Sequence, residues 1–286
     1  MKRLIVTADD FGLATAVNEA IEAGHRRGIL STASLMVAAP ATLDAIERAR
    51  RLPGLRVGLH LVLVNGHPLL PPERVPLLVN ERGAFDDRLF RAGVRYFFTP
   101  GIRAQLEAEI RAQFEAFAAT GLTMDHVNAQ NHLHVHPTVL SLVLKVGRDF
   151  GVRAIRIPRE PFWPSWRAAR TAPAARMANA AFLAPWLALM RLRLRRAGVA
   201  TNDFVFGMND SGRMRPALVE SFLEHLPDGV SELYVHPATH TWPEAFPPEY
   251  DFAGEFAALV DERVAGTLRR SAVEPVTFGE LAAHGA

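Results

Sequence analysis

The chain has 286 residues, of which 49% are hydrophobic, and a formal net charge of +2 at pH 7. A chain of this length can bury one large core, and no repeat or linker divides it, so we predict a single domain over residues 1–286. It contains no cysteine, which excludes disulfides and thiolate metal sites. The small net charge and the lack of a basic face or an aromatic stacking platform give no indication of nucleic-acid binding.

The first predicted strand, residues 4–8, is apolar and leads into the adjacent carboxylates of Asp9 and Asp10. Two adjacent carboxylates are unfavourable unless a metal ion or another cation lies between them. Capping of the helix that follows is the alternative role for either residue. Because the apolar run reaches these acidic residues too soon for a signal peptide, we expect a cytoplasmic location.

The third predicted strand, residues 55–63, carries His60 in an otherwise apolar run. A core histidine bonded to the backbone is the alternative to a metal ligand, but its place near the end of the strand favours a ligand. Residues 64–99 contain several prolines and glycines and are predicted to form an excursion over the mouth of a barrel. The spacing of apolar residues then predicts a helix over residues 100–121.

The highest density of histidine lies in residues 125–137, where four of the eleven histidines occur within eleven residues. Read with a period of two, the polar side chains share one parity, as at the end of a strand that continues into a loop: His126, Asn128, Gln130, His132, His134 and His136. Pro137 then begins an apolar helix. Strand, polar loop and helix are typical of the carboxyl end of a barrel strand, where catalytic residues collect. Surface or capping histidines are the alternative, which the clustering disfavours.

Residues 159–200 interrupt the alternation of strands and helices, after a fifth predicted strand over residues 152–158. Residues 177–190 carry no formal charge and are followed by arginines at 191, 193, 195 and 196. These fourteen uncharged residues are too few to span a bilayer comfortably. We interpret the segment as an insertion that forms a lid or core packing, contacts a membrane surface through residues 177–196, or mediates a homodimer.

The rest of the chain predicts a strand over 204–208, a helix over 216–226, a strand over 232–237 that ends at His236, a long helix over 252–268 and a closing strand over 276–278. Strands and helices therefore alternate seven or eight times, which indicates an α/β fold with a (β/α) barrel that is incomplete or distorted and has seven strands. An open doubly wound sheet is the alternative, but no glycine-rich phosphate loop follows the first strand.

The carboxyl ends of the strands in such a barrel meet at one mouth, so six polar side chains are expected to converge there: Asp9, Asp10, His60, Gln130, His132 and His236. A carboxylate and imidazoles can hold Zn²⁺ or a similar divalent ion with positions open for water and substrate. A second carboxylate can take a proton from water, and a histidine on the opposite side can protonate a leaving amine. Hydrolysis of an amide or an ester is the reaction class that these groups predict.

Four motifs in order along the chain resemble the YdjC-like carbohydrate deacetylases: Thr-Ala-Asp-Asp-Phe-Gly at 7–12, Gly-Leu-His at 58–60, the histidine-rich stretch at 125–136 and Val-His-Pro at 235–237. The resemblance covers nearly the whole chain. The histidine-rich stretch and the arginine-rich insertion look most like the hopanoid biosynthesis-associated deacetylases of that family, the HpnK type. This resemblance implies an incomplete barrel like that of polysaccharide deacetylases. It also implies removal of the N-acetyl group from an N-acetylglucosaminyl hopanoid lipid.

The same resemblance implies a divalent metal ion, with Zn²⁺ expected first and Mg²⁺, Mn²⁺ or Co²⁺ as alternatives. It implies Asp9 as the general base, His236 as a candidate general acid, and Asp10 and His60 as metal ligands. The expected partner is an N-acetylated sugar or glycolipid, met by a cytoplasmic protein that contacts the inner face of the membrane peripherally. Three further residues are predicted to bind the substrate: His132, Asn128 and Arg156.

Gln130 stands where the family usually carries a third metal-ligating histidine. A glutamine oxygen is neutral, harder than imidazole and poorly matched to Zn²⁺. Three explanations stay open: a different or weaker metal preference, a family member that binds a sugar or lipid without catalysis, and ligation by His132 or His126. Another barrel metallohydrolase is a further alternative, although amidohydrolases usually begin with a His-x-His pair where this chain has two aspartates.

Overall fold

Seven parallel strands form a curled sheet that makes an incomplete barrel, as the alternation of elements predicted. The strand order is β4-β3-β2-β1-β6-β5, and β7 pairs with the first residues of β1. The computed structural model describes residues 1–240 and 250–284, so residues 241–249 and 285–286 of the predicted domain lie outside the described part. The strands are β1 Lys2–Phe11, β2 Thr32–Leu35, β3 Arg56–Leu61, β4 Met124–Ala129, β5 Phe204–Phe206, β6 Gly229–Val235 and β7 Val273–Pro275.

Helices pack around this sheet and follow most of its strands. The region 64–99 contains a helix, α3, where the sequence predicted only an irregular excursion. The helices are α1 Thr15–Arg27, α2 Thr42–Arg50, α3 Leu89–Phe98, α4 Ile102–Ala119, α5 Pro137–Asp149, α6 Phe162–Ala169, α7 Pro173–Arg196, α8 Pro216–Glu224, α9 Phe252–Val260, α10 Glu262–Arg270 and α11 Phe278–His284, with short 3₁₀ turns at Pro72–Arg74 and Gln130–Val135.

The central strand β1 is buried on both faces. Leu4, Ile5, Val6 and Ala8 are each at most 2% exposed, and successive side chains of a strand point to opposite faces. A parallel strand with helices on one side and the barrel interior on the other has this continuous apolar sequence. This continuous burial agrees with the central position of β1 in the sheet. The polar end of β1 lies at the carboxyl edge.

The predicted fifth strand, residues 152–158, is not a regular strand, and the sheet is interrupted there. The segment makes two isolated bridges, Val127 to Ile155 and Ala154 to Ala200. The backbone of Ile157 instead bonds to a side chain: its N–H donates to Asn202 Oδ1 at 2.7 Å, and its carbonyl accepts from Asn202 Nδ2 at 2.9 Å. Because an amide side chain takes the place of a neighbouring strand, the barrel stays incomplete at this point.

Two boundaries near the C-terminus also differ from the prediction. The long helix expected over 252–268 is two helices, because Asp261 is extended (φ −71°, ψ 125°) and its side chain accepts from Arg263 N and Val264 N. Asp261 thus caps α10 instead of continuing α9. The closing strand, expected over 276–278, lies at Val273–Pro275, and residues from Phe278 onward form α11.

The insertion 159–200 folds as the two helices α6 and α7. Leu187, Met190 and Leu194 of α7 are buried, whereas other apolar side chains of the same helix are exposed. α7 contacts α5 and the 3₁₀ turn that follows β4, so it lies beside the carboxyl end of the sheet. Within residues 1–240 and 250–284, no helix has the length and apolar content that crossing a bilayer requires.

Candidate active site

The adjacent carboxylates of Asp9 and Asp10 reach one cavity because β1 has a bulge beside them. Between Ala8 and Phe11 the pairing advances by three residues on β1 but by two on β2. Asp10 has a left-handed backbone (φ 64°), a conformation that aspartate adopts more readily than most residues. Neighbouring side chains of a regular strand point to opposite faces, so this irregularity allows both carboxylates to line the cavity.

Asp9 is held by two buried groups, the guanidinium of Arg156 and the amide of Asn128. Arg156 donates to Asp9 Oδ2 at 2.5 Å and to Oδ1 at 3.1 Å, and Asn128 Nδ2 donates to Oδ1 at 2.9 Å. Arg156 also donates to Glu232 at 2.9 and 2.6 Å. Burial raises the pKa of Asp9, but the charge of Arg156 outweighs burial and holds this pKa well below its ordinary value. Asp9 is therefore an ionised carboxylate at neutral pH.

The hydrogen bonds of His60 determine which ring nitrogen faces Asp10. His60 Nδ1 lies 2.7 Å from Asn128 Oδ1, the acceptor end of an amide whose Nδ2 donates to Asp9 and Ser34. Nδ1 therefore carries the hydrogen, and in the neutral ring Nε2 has a free lone pair. Nε2 lies 3.4 Å from Asp10 Oδ1, so one cation could bind both atoms at the cavity.

Gln130 follows β4 and lines the same cavity. Its Nε2 donates to the carbonyl oxygen of Asn65 at 3.1 Å, which fixes the orientation of the amide. Its Oε1 is buried and has no hydrogen-bond partner in the described part of the chain. Nor do the described residues contain a group of three His, Cys, Asp or Glu side chains placed to hold a metal ion. Of the three side chains predicted to ligate a metal ion, Asp10, His60 and Gln130, two are of those four types.

The histidine-rich stretch does not keep one parity beyond β4, contrary to the prediction. β4 ends at Ala129, and in the 3₁₀ turn that follows it Asn131 and His132 have left-handed backbones (φ 50° and 54°). His126, on β4, points to Ser34 and is 1% exposed. It lies away from the cavity lining, so it does not take the place of Gln130 as a metal ligand.

The other three histidines of this stretch have different surroundings. His132 lines the cavity with Nε2 3.1 Å from the hydroxyl of Tyr234, and burial, followed by the charge of Arg156, holds its pKa well below the ordinary value. His134 donates from Nε2 to the carbonyl oxygen of Arg156 at 3.0 Å, and burial lowers its pKa to about 3. His136 packs against aromatic rings of α3. Of these three, His132 is the one placed to contact a substrate.

His236 follows β6 and also lines the cavity. Its backbone N–H donates to Glu255 Oε2 at 2.5 Å, and its ring Nδ1 lies 3.8 Å from the same oxygen. Burial by itself would lower the pKa of His236. Hydrogen bonding to Glu255 and the negative charges of Asp10, Glu255 and Asp9 outweigh burial and raise this pKa to about 9. The imidazole is therefore protonated at neutral pH.

The cavity has a volume of about 550 Å³ and lies at the carboxyl ends of the strands. Asn128 and Arg156, which the sequence predicted to bind substrate, are 0% exposed and contact Asp9 instead. Their donors are used to hold that carboxylate, so we assign both to positioning it. The six side chains that were expected to converge all line the cavity: Asp9, Asp10, His60, Gln130, His132 and His236.

The sequence interpretation missed several residues of the site. Glu232 and Tyr234 precede His236 on β6 at intervals of two, and a strict period-two reading of that strand indicates that they share a face. Glu255 is a lone carboxylate in the apolar helix α9 and is fully buried, which is a signal for a buried charge partner. Tyr250, whose hydroxyl donates to Ser211 at 2.8 Å, had no such signal.

Comparison with known proteins gives a consistent picture. Residues 3–270 match the family model described as YdjC-like protein. A carbohydrate deacetylase of Geobacillus stearothermophilus is 30% identical over 281 residues, 97% of each chain. A carbohydrate deacetylase of Brevibacillus brevis is 37% identical over 156 residues, 54% of this chain, and the alignment spans 59% of the length of that relative.

One solved structure has the same fold over nearly its whole length. The crystal structure of an Enterococcus faecalis V583 protein, described as a candidate cellobiose-phosphate cleavage protein, superimposes with a TM-score of 0.73. The two chains are 23% identical, and the match covers 98% of each. At this identity the likeness concerns the fold.

Proposed function

The chain belongs to the YdjC-like protein family, and from this membership and the geometry of the cavity we propose that it is a metal-dependent carbohydrate deacetylase. The proposed reaction is hydrolysis of the N-acetyl group of an N-acetylglucosaminyl substrate, a linear amide. One observation carries the proposal: an ionised carboxylate, Asp9, and a protonated imidazole, His236, line the same cavity. The relative named as a carbohydrate deacetylase that aligns over 97% of each chain supports the same reaction class.

In the proposed mechanism, Asp9 is the base and His236 is the acid. Asp9 takes a proton from a water molecule as the water oxygen bonds to the carbonyl carbon of the acetyl group. His236 donates its proton to the amide nitrogen as the carbon–nitrogen bond breaks, which releases a free amine and acetic acid, and the acid loses its proton to solvent to become acetate. The proton on Asp9 then returns to His236 through solvent. Arg156 and Asn128 hold the Asp9 carboxylate in place throughout.

Asp10, His60 and Gln130 would hold the divalent metal ion. Lewis-acid activation of the acetyl carbonyl and of the attacking water is the chemistry that such an ion supplies when bound. The fit is supported by the distance of 3.4 Å between His60 Nε2 and Asp10 Oδ1. It is also supported by Gln130 Oε1, which has no hydrogen-bond partner in the described part of the chain. The formal charges also favour a divalent cation, because only two positive groups, Arg156 and protonated His236, accompany these four carboxylates: Asp9, Asp10, Glu232 and Glu255.

The ligand types bear on which ion binds. A carboxylate and an imidazole suit Zn²⁺, which we propose as the metal. The neutral oxygen of Gln130 suits harder ions, so Mn²⁺, Co²⁺ and Mg²⁺ are the alternatives.

We also propose that the acetylated sugar is attached to a lipid, with a hopanoid glycolipid as the specific candidate that the motif resemblance suggests. A second cavity of about 440 Å³ adjoins the first, and both are lined by Met208. Apolar side chains of the insertion, among them Phe162, Leu183 and Leu187, form much of its wall. Charged side chains such as Arg176 and Arg191 also line this cavity, and its apolar wall suits an apolar group joined to that sugar.

The exposed face of α7 supports a peripheral contact with the inner face of the membrane by a cytoplasmic protein. Phe182, Trp186 and Leu189 follow helical spacing and are 73%, 40% and 42% exposed. The segment 159–200 contains eight arginines and one glutamate, a net charge of +7. An apolar stripe beside basic side chains suits an anionic membrane surface. A homodimer through the same stripe is the alternative.

The proposed activity is tested by measuring acetate release from an N-acetylglucosaminyl lipid by the wild-type chain and by Gln130→His, with metal content determined for both. We expect metal-dependent release, and a loss of activity in Asp9→Asn. If neither wild type nor Gln130→His releases acetate from any N-acetylglucosaminyl substrate with divalent metal supplied, the proposal is wrong.

Gln130 favours a second candidate function, a sugar- or lipid-binding protein without catalysis. A neutral amide among the three acceptors weakens metal binding relative to a third imidazole. Saturable binding of the glycolipid without turnover, unaltered by added Zn²⁺, Mn²⁺ or Co²⁺, would support this candidate over the first.

A further inference from the structure

A chain of four buried hydrogen bonds leads from His60, near the carboxyl end of β3, to Asp125, near the start of the neighbouring strand β4. His60 Nδ1 lies 2.7 Å from Asn128 Oδ1, and Asn128 Nδ2 donates to Ser34 Oγ at 3.0 Å. Ser34 Oγ lies 3.0 Å from His126 Nε2, and His126 Nδ1 lies 3.0 Å from Asp125 Oδ2. Each of the five residues is at most 6% exposed. Beyond His60, none of them lines the cavity.

The chemistry at both ends fixes the direction of every bond. Asp9 accepts from Asn128 Nδ2, so Asn128 Oδ1 must face His60 and accept its hydrogen. At the far end Asp125 Oδ2 accepts from His126 Nδ1, so His126 Nε2 accepts the hydroxyl hydrogen of Ser34. Each group donates to the next in the direction of Asp125. Hydrogen bonds aligned in this way polarise one another and strengthen the whole chain.

The far end of the chain is anchored to the fold. Asp125 Oδ1 accepts from the backbone N–H of Gly279 at 2.8 Å, at the start of α11. The ring of His126 stacks on Phe278 with centroids 4.7 Å apart. A Cβ atom at Gly58 would lie 2.5 Å from the same ring, so the glycine two residues before His60 is what admits it. Two sequence motifs, at 58–60 and 125–128, thus meet at this imidazole.

We propose that Ser34, His126 and Asp125 are positioning residues that hold Asn128, and through it hold the His60 ring with Nε2 directed at Asp10. A metal-ligating histidine commonly donates its other ring N–H to a carboxylate, a backbone carbonyl or a water molecule, which orients the ring and raises its basicity. In this chain the partner is an amide, supported by a hydroxyl, an imidazole and a carboxylate in series. The part of the proposal that concerns metal affinity rests on the proposed function, whereas the orientation of His60 does not.

The test compares Ser34→Ala with Ser231→Ala. Both serines are fully buried in the sheet, but Ser231 Oγ has no hydrogen-bond partner in the described part of the chain. The readouts are the Kd for Mn²⁺ and for Zn²⁺ by calorimetry, and the solvent exchange of the His60 ring N–H by NMR on histidine-labelled protein. We expect Ser34→Ala to weaken metal binding by about 10- to 100-fold and to speed ring N–H exchange. Ser231→Ala should change neither.

Two further variants keep the test decisive. His126→Phe keeps an aromatic ring against Phe278 but removes both ring nitrogens, and it should reproduce the effects of Ser34→Ala. Ser34→Thr keeps the hydroxyl and should retain metal affinity near that of wild type. Ser34→Ala and His126→Phe could instead lower the unfolding temperature but leave metal affinity and His60 exchange unchanged. In that case the hydrogen-bond chain stabilises the fold without orienting His60, and the proposal is wrong. If wild type binds no divalent metal, the proposed function fails, and the exchange comparison alone decides the proposal.

Discussion

Arg156 pairs with both Asp9 on β1 and Glu232 on the neighbouring strand β6. The three side chains are at most 3% exposed, and the guanidinium also lies 4.8 Å from the centroid of the Tyr234 ring. A buried carboxylate is unfavourable without a compensating charge, and here one cation serves two of them. The same contacts therefore support both the fold and the proposed base.

Replacing Arg156 by methionine is expected to destabilise the protein strongly. The change leaves Asp9 and Glu232 buried without their guanidinium, so the free energy of unfolding should fall by about 3–5 kcal/mol. Urea unfolding followed by circular dichroism measures the change. Arg111→Met, which removes an exposed pair with Asp149, is the control and should leave the midpoint unchanged. Equal midpoints for Arg156→Met and wild type would contradict the expected role.

Divalent metal should stabilise the folded protein. His60 Nε2 and Asp10 Oδ1 lie 3.4 Å apart, and a cation that both atoms ligate binds the folded protein and not the unfolded chain. At a free metal concentration of 100 times Kd the free energy of unfolding should rise by about 2.7 kcal/mol. Thermal unfolding with Zn²⁺ or Mn²⁺, and again after EDTA, measures the effect. His60→Ala should abolish it, and a full metal effect in that variant would rule out His60 as a ligand.

The alkaline limb of activity should follow His236. Its proton is needed for the leaving amine, and its pKa of about 9 predicts that kcat/KM falls as pH rises through about 9. Glu255→Gln removes the adjacent negative charge and should move this limb down by roughly 1 to 3 pH units. The measurement is kcat/KM over pH 6 to 10 for wild type, for Glu255→Gln and for the control variant Glu224→Gln, which changes an exposed carboxylate. A limb that stays in place in Glu255→Gln would exclude His236 as the group that titrates.

The ion pair between His236 and Glu255 also makes the free energy of unfolding depend on pH. Because the pKa of His236 in the folded protein lies above its ordinary value of 6.5, the stabilisation is fully present below about pH 6.5. It is lost as pH rises through about 9. Glu255→Gln should therefore lose less stability than wild type between these two pH values.

Replacing exposed apolar residues of α7 by aspartate should prevent binding to anionic vesicles. Phe182 and Leu189 are seven residues apart on one exposed face, so Phe182→Asp with Leu189→Asp should abolish sedimentation with vesicles that contain phosphatidylglycerol. Activity on a soluble N-acetylglucosaminyl sugar should remain. Leu43→Asp, at a side chain 79% exposed on α2, is the matched control. Unchanged vesicle binding in the double variant would reject the membrane contact, and a change in oligomeric state would favour the homodimer.

The sequence predicted the fold where backbone pairing follows apolar runs. β1 and β3 contain such runs, β4 and β6 mix polar with apolar side chains, and the alternation of strands with helices indicated an incomplete α/β barrel. The prediction was wrong where a side chain replaces a backbone partner. Asn202 pairs with Ile157 in place of a strand, and Asp261 caps a helix that the apolar spacing continued. Periodicity contains no information on either contact.

The sequence predicted which strand-end residues line the cavity, but it did not predict the buried residues beneath them. All six residues expected at the barrel mouth line one cavity. Arg156 and Asn128 were placed one layer too close to the substrate, because a sequence does not distinguish a polar side chain that faces a cavity from one that faces a buried carboxylate. Glu232 was missed because its ion pair with Arg156 joins residues 76 positions apart.

The bulge in β1 also limits how this site can vary between related sequences. Substitution of Asp9 or Asp10 by asparagine changes one functional group and should leave the path of the chain intact, because asparagine also adopts the left-handed backbone of position 10. Insertion or deletion of one residue between Ala8 and Phe11 would instead shift the parity of the strand and turn one carboxylate toward the helices. Related chains that keep both carboxylates in this cavity are therefore expected to align through this stretch without gaps, even where the loops around it differ in length.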